Sequence, residues 1–187
     1  MDISRYLVPG IVGLLVLAFL WLVLLYNGLI KWNNIVRNAW AQIDVQLKRR
    51  YDLIPNLVET VRAYAAHERA LFERITQLRA AAVQAQSPRD VEATDAQLAP
   101  AIRTLFAVVE NYPQLKADLN FRRLMEELTA TENKVAFARQ FYNDSVRVYN
   151  TKIQQFPAVF VARSLGFPPR DYLEAREFER EVTRVSF

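Results

Sequence analysis

His67-Glu68-Arg69-Ala70-Leu71 opens like a His-Glu-x-x-His zinc helix, in which two histidines one turn apart hold the metal and the glutamate activates its water. The fifth position is Leu71, and His67 is the only histidine of a chain without cysteine, so the ligand set stays incomplete and His67 reads as a surface residue. Glu126, Glu127 and Glu132 suggest the carboxylates of di-iron bundles, but such sites need Glu-x-x-His pairs from two helices, and this sequence has none. There is no Gly-rich phosphate loop, no Gly-x-Ser-x-Gly elbow and no kinase motif. The expectation is a protein with no catalytic residues, no cofactor and no metal, and therefore not an enzyme.

Two polar clusters remain. Lys48-Arg49-Arg50 sets three cations side by side, too far from any membrane segment to act on anionic lipid across a Debye length of about 8 Å. Arg139, Tyr142, Asn143, Arg147 and Asn150 form a polar stripe at helical spacing. The stripe is either solvated surface or a buried or intersubunit hydrogen-bond network, the kind of seam polarity that fixes helix register.

The elements that carry these residues are helices. Only four of 187 residues are glycine, and Ala, Leu, Arg, Glu and Gln abound, which suits long helices because Gly costs about 1 kcal/mol per position relative to Ala. Residues 54–82 show a 3,4-spaced seam: Ile54, Leu57, Val61, Tyr64, Glu68, Leu71, Ile75, Leu78, Ala82. Phe121, Leu124, Leu128, Thr131, Val135, Ala138, Tyr142, Ser145 and Tyr149 repeat it, as do Leu98, Ile102, Leu105, Val109 and Tyr112. A spacing that averages 3.5 keeps one stripe against a partner helix. No segment alternates with period 2, so no sheet is expected. Breaks are expected at Gln86-Ser87-Pro88-Arg89-Asp90, at Asn111-Tyr112-Pro113 with Asp118 capping the next helix, at Phe156-Pro157 and at Gly166-Phe167-Pro168-Pro169. Around Asp52-Leu53-Ile54-Pro55 two courses are open: one long helix kinked at Pro55, or a new helix capped by Asp52. If the chain reverses there, the apolar stretch 156–167 returns to the lipid interface; if it runs on, that stretch lies away from the membrane.

Tyr6 to Ile30 carries no charged side chain, a run of about 25 residues where a spanning helix needs roughly 20. Leu7, Ile11, Leu14, Leu17, Leu20 and Leu24 line it, and Trp21, Tyr26 and Trp32 gather at its C-terminal side as interfacial anchors do. A cleavable signal has a shorter apolar stretch and a small-residue cleavage site, which Trp-Leu-Val-Leu-Leu-Tyr does not offer. Lys31, Arg37 and Lys48-Arg49-Arg50 outnumber Arg5 before the span, so the positive-inside rule places the C-terminal part in the cytoplasm. The net charge of +4 is mild and mixed along the chain, which argues against nucleic acid as a partner. The organisation expected is a flank at 1–5, a transmembrane helix at 6–30, a helical bundle at 31–155 with breaks near 52–55, 87–94 and 111–117, and a C-terminal apolar segment and tail at 156–187.

Several motifs resemble one family. Tyr26-Asn27-Gly28-Leu29 after the span, the stretch from Ala39-Trp40-Ala41-Gln42-Ile43-Asp44 through Arg49-Arg50-Tyr51-Asp52-Leu53-Ile54-Pro55-Asn56-Leu57-Val58, Leu119-Asn120, Thr131-Glu132-Asn133-Lys134, and Ala138-Arg139-Gln140-Phe141-Tyr142-Asn143 through Tyr149-Asn150 to Phe156-Pro157 are similar to the LemA family. The resemblance implies an all-α fold, an N-terminal transmembrane helix followed by an elongated antiparallel helical bundle, at the bacterial inner membrane and without an assigned activity. It also implies links to envelope functions and to the building of an internal membrane in magnetosome-forming bacteria. A lipoprotein-like start, found in some relatives, does not transfer to a chain without cysteine. Arg49, Arg50, Asp52, Pro55, Asn56, Glu132, Asn133, Arg139, Tyr142, Asn143 and Asn150 are the candidates for structure and assembly. The expected role is a self-associating scaffold that organises or shapes the membrane, with lipid and further copies of itself as partners. The alternative is an adaptor that presents its bundle to a membrane protease or another envelope protein.

Overall fold

The computed structural model describes residues 4–85 and 87–173, with side chains from Pro9 onward. The expectations that fall on Asp2, on the Leu7 side chain, on Gln86 and on the tail 174–187 lie outside the described residues. Among the described residues there are six helices and no strand: α1 Ser4–Arg62, α2 Arg69–Gln84, α3 Pro88–Val109, α4 Pro113–Ala117, α5 Leu119–Gln154 and α6 Ala158–Ser164. The fold is all-α.

α1 meets two environments along its 59 residues. From Ile11 to Leu24 its large apolar side chains are exposed on every face. The first buried residue is Leu29, and from there a stripe of Val36, Ala39, Ile43, Leu47, Arg50, Ile54, Leu57 and Val61 is buried at the same 3,4 spacing. That spacing repeats one face of the helix every two turns, so burial of the stripe follows directly from the pattern.

The helix does not break at 52–55; it stays α-helical through Pro55 and ends at Arg62. Proline has no N–H, so the Tyr51 carbonyl four residues back loses its helical donor, at a typical cost of about 3 kcal/mol. Arg79 on α2 supplies a substitute: its Nε donates to the Tyr51 carbonyl at 3.1 Å. The reversal comes instead at 63–68, inside the seam read as one helix over 54–82. Ala65 is fully buried there, Glu68 N donates to Ala65 O, and α2 buries Ile75 and Ala82 of that seam together with Phe72, while Leu71 is half-buried and Tyr64 exposed.

Capping fixes the other ends. Ser87 Oγ accepts from Asp90 N and starts α3, with Pro88 in the first turn where a missing N–H does no harm. Asp118 Oδ1 accepts from the N–H groups of Asn120 (2.8 Å) and Phe121 (2.9 Å) and starts α5. Along α5 every seam residue from Phe121 to Tyr149 is buried except Leu124, which is half-buried.

The chain divides into two compact units: unit 1, Met1–Trp40 with Phe141–Tyr172, and unit 2, Ala41–Gln140 with Leu173–Phe187. In unit 1, α1 and α5 run antiparallel. Trp40 meets Tyr142 edge to face with ring centroids 5.8 Å apart, and the Lys152 ammonium lies 5.7 Å from the Trp32 ring. The chain after α5 continues to the end of the apolar run, where Phe167 packs edge-on against Tyr26 at 6.0 Å. The expectation that a long helix through Pro55 would carry 156–167 away from the membrane is therefore corrected: α1 runs on, and α5 brings the stretch back. In unit 2, α1 and α5 are also antiparallel, with Arg50 near Glu132 and Tyr64 near Asp118, while α2 and α3 pack as a hairpin.

Candidate functional site

The densest polar cluster of unit 2 is built from three helices. Arg50 stands in the buried stripe of α1, where its neighbours at that spacing are Leu47 and Ile54. Its Nη1 lies 2.6 Å from Asp95 Oδ1 on α3, and both side chains are only 2% exposed. The same Nη1 is 3.3 Å from Glu132 Oε2 on α5. The other Asp95 oxygen faces Arg139 Nη1 at 3.5 Å, and Arg139 Nη2 donates to Glu92 Oε1 at 2.9 Å. Two guanidinium groups, from α1 and α5, thus face three carboxylates, two from α3 and one from α5. Burying these charges in isolation would cost several kcal/mol each, and mutual pairing offsets that only when the helices keep this register. Arg50 Nε is buried with no hydrogen-bond partner, and the ion pairs to Asp95 and Glu132 are both made by Nη1.

Unit 1 uses neutral groups for the corresponding task. Tyr142 Oη donates to the Asp171 carbonyl at 3.1 Å and Tyr149 Oη to the Pro168 carbonyl at 2.9 Å. Between them Asn150 Nδ2 donates to the Arg170 carbonyl at 2.8 Å, and Asn150 Oδ1 accepts from Arg170 N at 2.9 Å. The irregular strap 168–171 therefore has its backbone held by three side chains of α5, Tyr149 and Asn150 side by side and Tyr142 two turns before them. Arg170 Nη2 reaches Asn33 on α1 at 3.0 Å and ties the strap to the anchor helix. Burial raises the Tyr142 and Tyr149 pKa values, against a lowering influence of Arg170.

The stripe read as one network over 139–150 is thus divided. Arg139 belongs to the ion-pair cluster of unit 2, whereas Tyr142 and Asn150 hold the strap of unit 1. Arg147 is exposed and pairs loosely with Asp144 at 3.9 Å, and Asn143 is half-buried. Arg49 is exposed, 3.9 Å from Glu127, and Asp52 is exposed, 3.9 Å from Arg79. Asn56 lines an open surface groove with Glu59, Thr60, Asn120, Arg123 and Leu124, and Asn133 is exposed on α5. Ile11, Leu14, Leu17, Leu20, Trp21 and Leu24 project from the apolar part of α1, with Tyr26 and Trp32 at its end as described. Among the described residues no three His, Cys, Asp or Glu side chains converge so as to hold a metal.

Asp95, Glu92 and Arg79 are the contributors that sequence reasoning missed. Asp95 was within reach: continuing the Leu98 seam backwards by three and then four places gives Asp95 and Val91, both buried. A seam acid opposite the seam base Arg50 is a readable pairing.

The polar groups of both units thus bind other parts of the same chain, and the apolar start of α1 is long and apolar enough to cross a membrane. These features define a membrane-associated helical-bundle protein. The profile of the LemA family matches residues 39–187, and the chain belongs to the LemA family. Among its relatives is magnetosome protein MamQ 2 of Paramagnetospirillum magneticum, 24% identical over 86% of this chain and 69% of the relative. MamQ of Magnetospirillum gryphiswaldense is 23% identical over 83% of this chain and 66% of the relative. Protein LemA of Metamycoplasma hominis is 26% identical over 82% of this chain and 71% of the relative.

Proposed function

We propose that this protein is a non-enzymatic scaffold that self-associates and organises or shapes the membrane that holds it. The observation that carries this reading is α1, a single unbroken helix whose first part is exposed and apolar and whose remainder builds the core from Leu29 onward. The element placed in lipid and the element on which the bundle is assembled are one. Relatives named as magnetosome proteins support an association with internal membranes. Self-association draws support from large apolar side chains left on the surface of unit 2, notably Phe137 (75% exposed), Val45, Val83 and Leu119.

The test is the mass of the full-length protein in mild detergent by light scattering across a concentration series. Self-association predicts a species larger than the monomer whose fraction falls in Phe137→Glu; a clean monomer throughout rejects it. Cross-linking in cells separates the adaptor reading, which requires one dominant heterologous partner and little linking between copies. By the positive-inside rule the bundle stands on the cytoplasmic side of the inner membrane, and a compartment-sensitive reporter fused after Phe187 measures this directly.

A further inference from the structure

We propose that α6 and its flanks form a second membrane contact, a shallow apolar face of unit 1 that dips into the lipid interface beside the spanning helix. The inference rests on the reading of α1 as a membrane span.

The face is unusual for a surface in water. Ala158 and Ala162, one turn apart, are buried and let α6 sit close to the bundle. The side away from the bundle presents Phe160 (62% exposed), flanked by exposed Phe156 (82%) before the helix and Leu165 (53%) after it. The two phenylalanine rings meet edge to face at 6.0 Å, forming one outward aromatic block. Gly166 closes the helix with φ 72°, and Phe167 N donates to Ala162 O at 2.9 Å, a C-terminal arrangement that turns the chain sharply toward α1.

The occupant is set by position. The uncharged run 6–30 is longer than the roughly 20 residues a span needs, so its last turns, from Tyr26 to Ile30, reach the lipid interface. Phe167 packs on Tyr26, so the turn that follows α6 sits in the C-terminal part of the uncharged run 6–30, five residues before Lys31. Cations accompany it there. Lys152 and Arg170 lie against Trp32 and Asn33, and Arg163 is exposed on α6 itself. Outward aromatics with a fringe of lysine and arginine match the apolar-below, basic-at-headgroup chemistry of an interfacial helix. The contact is therefore lipid, and acidic headgroups suit the fringe.

The absence of native cysteine makes the test direct. Single variants Phe160→Cys, Leu17→Cys and Asp144→Cys of the full-length protein are labelled with an environment-sensitive fluorophore and reconstituted into vesicles of mixed zwitterionic and anionic phospholipid. Asp144 is exposed on α5 near the level of Trp40, about 20 Å beyond Tyr26 along α1 at 1.5 Å per residue. The expected result at 160 is at least threefold stronger quenching by nitroxide on the upper acyl chain than at 144, with a correspondingly weaker response to aqueous iodide. Equal iodide access at 160 and 144 without lipid quenching overturns the proposal. Protection from iodide without lipid quenching also overturns it, since protein then covers the face. A label at Leu17 that lipid fails to quench overturns the anchor reading itself, whereas quenching at 17 but not at 160 removes only the second contact.

Discussion

The two units solve one problem, polar groups inside a helical bundle, by different chemistry. Unit 2 places Arg50 and Asp95 in its core and balances charge against charge across three helices. Unit 1 uses Tyr142, Tyr149 and Asn150 to satisfy the backbone of a strap that has no helix of its own. The first arrangement specifies which side chains must meet, and it is costly when half of it is removed. The second holds the strap mainly through its backbone atoms, with one side-chain tie from Arg170 to Asn33, so it is most sensitive to changes in the three residues of α5 that hold it. Charge therefore fixes register between regular elements, and neutral hydrogen bonds fasten an irregular one.

The largest effect that separates the two belongs to the ion pair. Arg50→Ala or Asp95→Ala leaves its partner's charge buried and is expected to lower unfolding stability by about 3–5 kcal/mol, read by urea titration in detergent. Arg50→Met with Asp95→Leu removes both charges and should recover most of that loss; a double variant as unstable as either single one breaks the comparison. In unit 1, Asn150→Ala frees both the N–H and the carbonyl of Arg170, with an expected loss of about 2 kcal/mol. All three tryptophans, Trp21, Trp32 and Trp40, lie in unit 1, so fluorescence should report the Asn150 change before circular dichroism does.

Smaller still is the repair at Pro55. Arg79→Ala removes the donor to the Tyr51 carbonyl and should cost about 1 kcal/mol. In a Pro55→Ala background the restored N–H takes over, so the same change should cost much less; additivity of the two would remove Arg79 from this role. The smallest effect is alkaline. Tyr142 and Tyr149 have pKa values raised by burial, so the folded form keeps protons that the unfolded form releases. Their contribution is complete below the ordinary tyrosine value of about 10 and is lost as pH rises through the raised folded values. Unfolding midpoints between pH 9 and 12 should fall, and Tyr142→Phe with Tyr149→Phe should flatten that slope.

The seam of α5 was legible because nothing interrupts it; Asp118 caps it and its 3,4 spacing runs unbroken to Tyr149. The seam over 54–82 misled for a physical reason. The reversal at 63–68 has neither Gly nor Pro, and Ala63-Tyr64-Ala65-Ala66-His67-Glu68 reads locally as good helix. Burial of Ala65 and the Tyr64–Asp118 hydrogen bond at 3.3 Å accompany a turn that propensity alone does not show. Pro55 was the opposite case, a strong local breaker overridden by a distant arginine. At the site, Lys48-Arg49-Arg50 stood out as a run of cations, whereas the strap contacts join Asn150 to Arg170 across the end of α5, α6 and two turns, a pairing no periodicity encodes.

The split of unit 1 into two segments has a kinetic consequence. Residues 1–40 must wait for residues 141–172, with about a hundred residues between them, and closing a loop of that length costs on the order of 4 kcal/mol in chain entropy. If α1 and α5 first pair within unit 2, where Arg50 meets Glu132, the open loop is already closed and the remaining contacts add one turn at a time. Folding then proceeds as a zipper that starts in the charged core and finishes at Tyr26. The strap is fastened last, after α6, the last helix among the described residues, has been made.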